Sequence, residues 1–164
     1  MDAATVNKVM WAIPNVLCLV GSRAGDERNG MTTSWVTQVS MEPVLVAISV
    51  DSTAVTNRLI REGGSFSVNL CDRADTSIFR RFSKPAEYDG AALNGYAVRD
   101  GTTGVPIFED AIAWFECRLH DAIDVGTHDV FLCEIIDAAI DDGAEAIVSR
   151  MEDTRMKYGG VRRH

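Results

Sequence analysis

Apolar positions along this chain gather in short runs separated by glycine, proline and charged residues, the spacing expected of strands. Val16-Leu17-Cys18-Leu19-Val20 reads as a buried strand that stops at Gly21, with a polar loop over residues 23–30. Residues 31–40, rich in Thr, Val and Trp, suit the returning strand of a hairpin. After Glu42-Pro43, the run Val44-Leu45-Val46-Ala47-Ile48-Ser49-Val50 is the most strand-like segment of the chain. The period then turns helical. Val55, Leu59 and Ile60 share a face, Ser52 stands where a cap would, and Gly63-Gly64 closes the end. Residues 66–70 return to strand, and residues 75–82 predict a second short helix running into Ser83-Lys84-Pro85. Residues 88–104, rich in Gly, Asp and Asn, read as surface loops holding a short strand or two. Residues 111–120 and 128–139 predict two strands joined by a turn at Asp124-Val125-Gly126, and Ala146-Ile147-Val148 predicts a weaker one. An opening helix over residues 4–10, with Val6, Val9 and Met10 facing inward, ends before Pro14.

Many strands with a few short helices imply a mainly β, mostly antiparallel barrel in a single domain. Helices do not alternate regularly with strands, and no GxGxxG follows a strand, so a doubly wound dinucleotide fold has no support. The length of 164 residues suits one domain, and 46% hydrophobic content gives it a core to bury.

Charge narrows the partners. Lys and Arg total 16 against 24 Asp and Glu, a formal net charge of -8. Nucleic acid and anionic membranes both demand a basic face, and are excluded as main partners. The start Met1-Asp2 lacks the basic and apolar regions of a signal peptide, so a cytoplasmic location is expected. Cys18, Cys71, Cys117 and Cys133 are widely spaced inside or beside apolar stretches, which predicts buried, reduced thiols and no structural metal.

No nucleophile elbow, P-loop or HExxH is present, and no carboxylate pair stands out. An enzyme of this kind would take its chemistry from a bound cofactor. Two segments put hydroxyls and backbone amides where elements begin: Met31-Thr32-Thr33-Ser34-Trp35, and Ser49-Val50-Asp51-Ser52 at the start of the second helix. A helix N-terminus suits a phosphate, and Thr56 in its first turn adds a hydroxyl; ordinary caps and strand hydroxyls explain the same pattern. Asp51 would compete for that helix end. His128, after Gly126-Thr127, opens a strongly apolar strand at a rim position, facing either a ligand or a neighbouring backbone group. Trp35 and Trp114 offer a surface on which a ring system could stack, or simply core.

Taken in order, these segments carry a resemblance. Asn29-Gly30-Met31-Thr32-Thr33-Ser34-Trp35, then Ser40-Met41-Glu42-Pro43 and the strand at residues 44–50, resemble the flavin reductase-like, FMN-binding split-barrel family. Gly64-Ser65-Phe66-Ser67-Val68-Asn69-Leu70 is similar to its G-x-F-x-V-N-V strand. Gly126-Thr127-His128-Asp129-Val130-Phe131 is similar to the family's histidine-bearing strand, and Tyr158-Gly159 to the ending of some members. The resemblance implies an FMN-binding split β-barrel and a homodimer, with FMN (less often FAD) reduced by NADH or NADPH. It places Thr32, Thr33, Ser34 and Trp35 against the flavin or its phosphate arm. Ser49, Val50 and Asp51 would line the flavin, Thr56 and Ser83 would lie near the phosphate, and His128 beside the stacked rings. Reduced flavin would then serve a monooxygenase component or another acceptor.

Two positions depart from the pattern. Val44 replaces the family's second proline, and Cys133-Glu134 stands where many members have glycine. Rival readings on the same barrel are a pyridoxamine-phosphate-oxidase-like or deazaflavin-dependent enzyme, a non-catalytic flavin- or haem-binding protein, or a barrel with no cofactor. The first would hold its cofactor with clustered Arg and Lys, which residues 31–52 lack.

Overall fold

The computed structural model describes residues 2–141 and 146–161. Its frame is a seven-stranded sheet, antiparallel at every pairing, in the order β2-β1-β5-β9-β10-β4-β3. The strands are β1 (Cys18–Ala24), β2 (Glu27–Thr33), β3 (Val36–Met41), β4 (Val44–Asp51), β5 (Ser65–Leu70), β9 (Ala113–Asp124) and β10 (His128–Ile140). A small second sheet joins β6 (Ala92–Leu93), β7 (Tyr96–Asp100) and β8 (Pro106–Phe108). Among the described residues three short α-helices, α1 (Ala3–Ala12), α2 (Val55–Gly63) and α3 (Ile78–Arg81), and a 3-10 turn at Met151–Asp153 complete it. The large sheet curls without closing, so the fold is a split barrel.

The split has a covalent hinge. β2 and β3 are the two edges of the sheet, yet they are consecutive in the chain, joined only through Ser34-Trp35. The expected single strand over residues 31–40 is therefore two strands, one on each side of the opening. The expected polar loop at residues 23–30 is also strand: Ala24 pairs with Glu27 across a tight turn, where Gly25 sits at φ 55°. Polar side chains misled there because the edge strand β2 has one face toward water.

β1 explains its own continuous apolar run by being buried on both faces. Cys18 and Val20 join the barrel interior with Ile48, Phe66, Val68 and Phe131. Leu17 and Leu19 face the other way, into a second cluster with Phe79, Phe82, Leu93 and Phe108. A strand covered on both sides loses the apolar–polar alternation of a surface strand. Of the helices, α2 sends Leu59 and Ile60 inward as its period predicts, and Gly64 closes it at φ 71°. Its cap differs from expectation: Ala54 holds the N-cap position and no side chain caps it, because Ser52 is drawn off to the Thr127 carbonyl.

Other elements moved. Helix α3 is confined to residues 78–81, since Asp75 accepts the Ser77 amide in a turn of its own. Val148 makes only an isolated bridge to Asp72 rather than a strand. The inward face expected for α1 is not buried: Val9 and Met10 are exposed and the helix has no buried residue. β8 went unread, because three apolar residues behind Gly104 give too short a period to register.

Candidate functional site

Register decides the site. The end of β4 pairs with the start of β10, setting His128 directly opposite Asp51. The β2–β3 crossover lies on the other side, where the Trp35 carbonyl accepts the Ser49 amide (3.1 Å). Residues far apart in sequence thus meet at the mouth of the split. They line a cleft with two lobes, about 340 and 360 Å³, that share Ser49, Asp51 and Tyr158.

The first lobe is lined by hydroxyls, with an apolar floor of Leu17, Met31, Phe82, Met151 and Met156. Thr33, Ser34, Ser49 and Ser83 line it, and the hydroxyls of Thr33, Ser34 and Ser49 have no hydrogen-bond partner among the described residues. Ala54, the uncapped start of α2, also opens onto this lobe. The Asn57 amide donates to the Ala54 carbonyl (3.1 Å), which leaves the Val55 and Thr56 amides at the positive end of the helix dipole, a place that suits an anion. Asp51 does not occupy them: its carboxylate takes the amide and hydroxyl of Thr53 instead (2.8 and 2.6 Å).

Gly30 sets the other wall. A Cβ there would meet the Phe82 ring at 2.8 Å and Phe108 at 2.9 Å, so only glycine lets Phe82 pack beneath β2. Phe82 in turn fixes Ser83, and the Thr32 amide donates to the Phe82 carbonyl (3.0 Å). The Thr32 hydroxyl is spent on the Phe79 carbonyl (2.7 Å), tying β2 to α3.

The second lobe is aromatic. Trp35 stands 5.1 Å from the His128 ring and 5.0 Å from Tyr158, centre to centre. Both His128 ring nitrogens are held by hydroxyls: Nδ1 by Thr127 (2.8 Å) and Nε2 by Tyr158 (2.8 Å). A hydroxyl both donates and accepts, so this pair can hold either tautomer. Tyr158 rides on a C-terminal segment docked on α1. Trp11 Nε1 donates to the Gly159 carbonyl (3.1 Å), and the Val161 amide donates to Asn7 (2.7 Å).

Next to His128, Asp129 is buried and anchors the rim. Arg61 (2.8 Å) and the Asn57 side-chain amide (2.8 Å) both reach its carboxylate. Those hydrogen bonds, Arg61's first, hold its carboxyl below the usual range. The four cysteines are free and buried, and lie outside both lobes. Burial pushes the Cys71 and Cys117 thiols up to about 12, where a thiolate is not accessible at neutral pH. Among the described residues no cluster suited to a metal ion is found.

The structure brings together Thr32, Thr33, Ser34, Trp35, Ser49, Val50, Asp51, Ser83 and His128 around this cleft. Thr56 it does not: the side chain is buried and its hydroxyl accepts from Asn29 (2.8 Å) beneath the lobe. Trp114 lies elsewhere, under the Arg99 guanidinium. Sequence reasoning missed Tyr158 as a site residue, together with Thr127 and Met156. Tyr158-Gly159 was visible as an ending, but nothing local in it points 30 residues back to His128.

A family model described as a flavin reductase like domain matches residues 10–158. The flavin reductase of Pseudomonas putida is 27% identical over 161 residues, covering 98% of this chain and 91% of that protein. The FMN reductase (NADH) RutF of Agrobacterium fabrum is 30% identical over 123 residues, 74% of this chain and 69% of its own length. The solved NADH:FAD oxidoreductase SgcE6 of Streptomyces globisporus C-1027 aligns with a TM-score of 0.78 at 27% identity, covering 90% of this chain and 88% of that one. Some relatives are longer: of two of them the chain spans 26% and 37%. With the motifs in order along one split barrel and the family model spanning most of the chain, the protein belongs to the flavin reductase like domain family.

Proposed function

We propose that the chain is a single flavin reductase-like domain that binds FMN in this cleft and catalyses its reduction by NADH or NADPH. The carrying observation is the cleft itself: unpartnered hydroxyls and an uncapped helix start in one lobe, a histidine between aromatic rings in the other. A flavin fits such a donor set. Ser34, Ser49 and the α2 start would hold polar atoms of the ring or its phosphate arm, with Ser83 near the phosphate end. When bound, flavin supplies the two-electron acceptor that hydride transfer from a nicotinamide requires.

The chain's own part is positional. Met31, Phe82 and Met156 keep water from one face of the cleft, while Trp35 and Tyr158 confine the other. His128, steadied at both nitrogens, orients whatever stacks beside it and can hold a proton at Nε2. No strong base or nucleophile is needed for hydride transfer.

The apolar residues on α1 and on the β3–β4 hairpin, where Met41 is 86% exposed, support a homodimer. Supply of reduced flavin to a monooxygenase component, in the cytoplasm, completes the reading. The test is anaerobic titration of the FMN-loaded protein with NADH and then NADPH. Loss of oxidised-flavin absorbance with either donor is the expected result and identifies the donor. Failure to bind FMN would overturn the reading.

A further inference from the structure

A second groove of about 510 Å³ lies beside the first lobe, between α3 and residues 153–156. It is continuous with the cleft at two points. Met156 lines both spaces, and the Ser83 hydroxyl, at the cleft wall, donates to the Arg80 carbonyl (2.9 Å), one turn away in the groove.

Its electrostatics differ from those of the cleft, whose lining includes no Arg or Lys among the described residues. Arg80 projects from one wall and Arg155 from the other, and neither makes an ion pair or side-chain hydrogen bond with another described residue. The groove's two carboxylates are already engaged. Asp153 pairs with Arg73 and with Arg150 (3.5 Å), neither of which lines the groove, and Asp75 accepts the Ser77 amide (2.9 Å). With Asp153 neutralised by its own arginine partners, Arg80 and Arg155 outweigh the one remaining carboxylate, Asp75, so the groove carries a net positive charge in a chain whose net charge is -8. Two guanidiniums facing one space suit phosphate oxygens, which they engage in bidentate fashion.

We propose that this groove takes a phosphorylated adenosine, the adenylate end of a dinucleotide whose ring system lies in the cleft. The inference rests on the flavin reading above and adds a second subsite to it. The phosphorylated adenosine has two sources: FAD, or the 2′-phosphorylated adenosine of NADPH. In either case Arg80 and Arg155 are specificity residues that favour the longer or more highly phosphorylated ligand.

The test measures four ligands on the full chain and on its R80Q, R155Q and doubly substituted forms. Dissociation constants for FMN and FAD come from flavin fluorescence, and kcat/KM for NADH and NADPH from flavin bleaching. Both arginines are exposed, so glutamine leaves the packing intact. Loss of a charged hydrogen-bond donor should weaken the relevant ligand about tenfold or more. A selective loss for FAD over FMN assigns the groove to the flavin's own adenylate. A selective loss for NADPH over NADH assigns it to the nicotinamide donor. R80K should retain more of the preference than R80Q in either case. Unchanged FAD/FMN and NADPH/NADH ratios would overturn the proposal, as would an equal loss for FMN and FAD. Those results leave the flavin reading standing; a wild-type chain that binds neither flavin removes both.

Discussion

The two lobes of the cleft hold their side chains by different means. In the hydroxyl lobe the hydroxyl-bearing residues 32–34, 49 and 83 belong to ladder strands or to segments bolted to them, while Met156 and Tyr158 of the C-terminal segment close one side. Thr32 is bonded at amide and hydroxyl to the 79–82 turn, and Ser49 is bonded to Trp35 where the β3–β4 ladder ends. Buried Asn29 underpins it, joining the Thr56 hydroxyl to the Ala86 amide. In the aromatic lobe, His128 sits on a strand but Tyr158 sits on a segment without regular structure, docked on an exposed helix. Backbone ladders fix position cooperatively, whereas a few side-chain bonds at the surface open at little cost. The strand-borne walls of the cleft are therefore the more firmly fixed, and the Tyr158 wall the less.

The contrast can be broken first from below. Thr56→Val leaves the buried Asn29 amide without its acceptor and should cost about 1–3 kcal/mol of stability. Thermal melting should register it as a fall of about 2–4 °C per kcal/mol for a chain of this size. FMN affinity measured below the transition should change far less, since Thr56 does not line the cleft; a selective loss of affinity would return it to the binding site.

His128→Ala acts on the other lobe. Reduction by the nicotinamide donor should slow about tenfold while FMN affinity stays within about twofold, because positioning rather than binding is lost. Stopped-flow bleaching beside a fluorescence titration separates the two, and equal rates would make His128 structural.

Asp129 adds a pH dependence to the rim. Its folded pKa lies below the unfolded value, so its contribution to stability is fully present above the ordinary carboxylate pKa of about 3.9. That contribution is lost as the pH falls from there through the folded value. Asp129→Asn should therefore flatten the acid limb of a stability-against-pH curve and leave its shape near neutrality unchanged. An unaltered acid limb would mean that Arg61 and Asn57 do not act through this carboxyl.

The smallest effect is expected for Tyr158→Phe. It removes one partially exposed hydrogen bond, worth about 0.5–1.5 kcal/mol, and keeps the ring against Trp35. The His128 ring-nitrogen NMR resonances at fixed pH should move while FMN affinity holds. Unmoved resonances would show that the bond to Nε2 is not formed in solution.

Much of the site was legible because its residues sit in contiguous segments with local signatures. Residues 31–35 and 49–51 announced themselves by hydroxyls at the ends of apolar runs, and His128 by the glycine turn before it. Thr56 differs for a local reason as well: periodicity puts it in the first turn of a helix, but which face of that turn meets the cleft depends on what packs beneath it. Asn29 decides that, from 27 residues away. Glu116 is a parallel case. Nothing in its strand distinguishes it, yet it is wholly buried, with the amides of Thr102 (2.7 Å) and Thr103 (2.5 Å) donating to its carboxylate.

By itself the sequence determined the strand-rich class, the period change at α2, the positions of most turns and the hydroxyl segments. These follow from periodicity and backbone preference, which act over a few neighbouring residues. Tertiary structure alone decided that the barrel stays split at Ser34-Trp35, that β1 is buried on both faces, and that Tyr158 meets His128. It also placed Arg80 and Arg155 on opposite walls of one groove. Each of those depends on which strands pair and which segments dock, a choice set by burying the whole core at once rather than by any local run of residues.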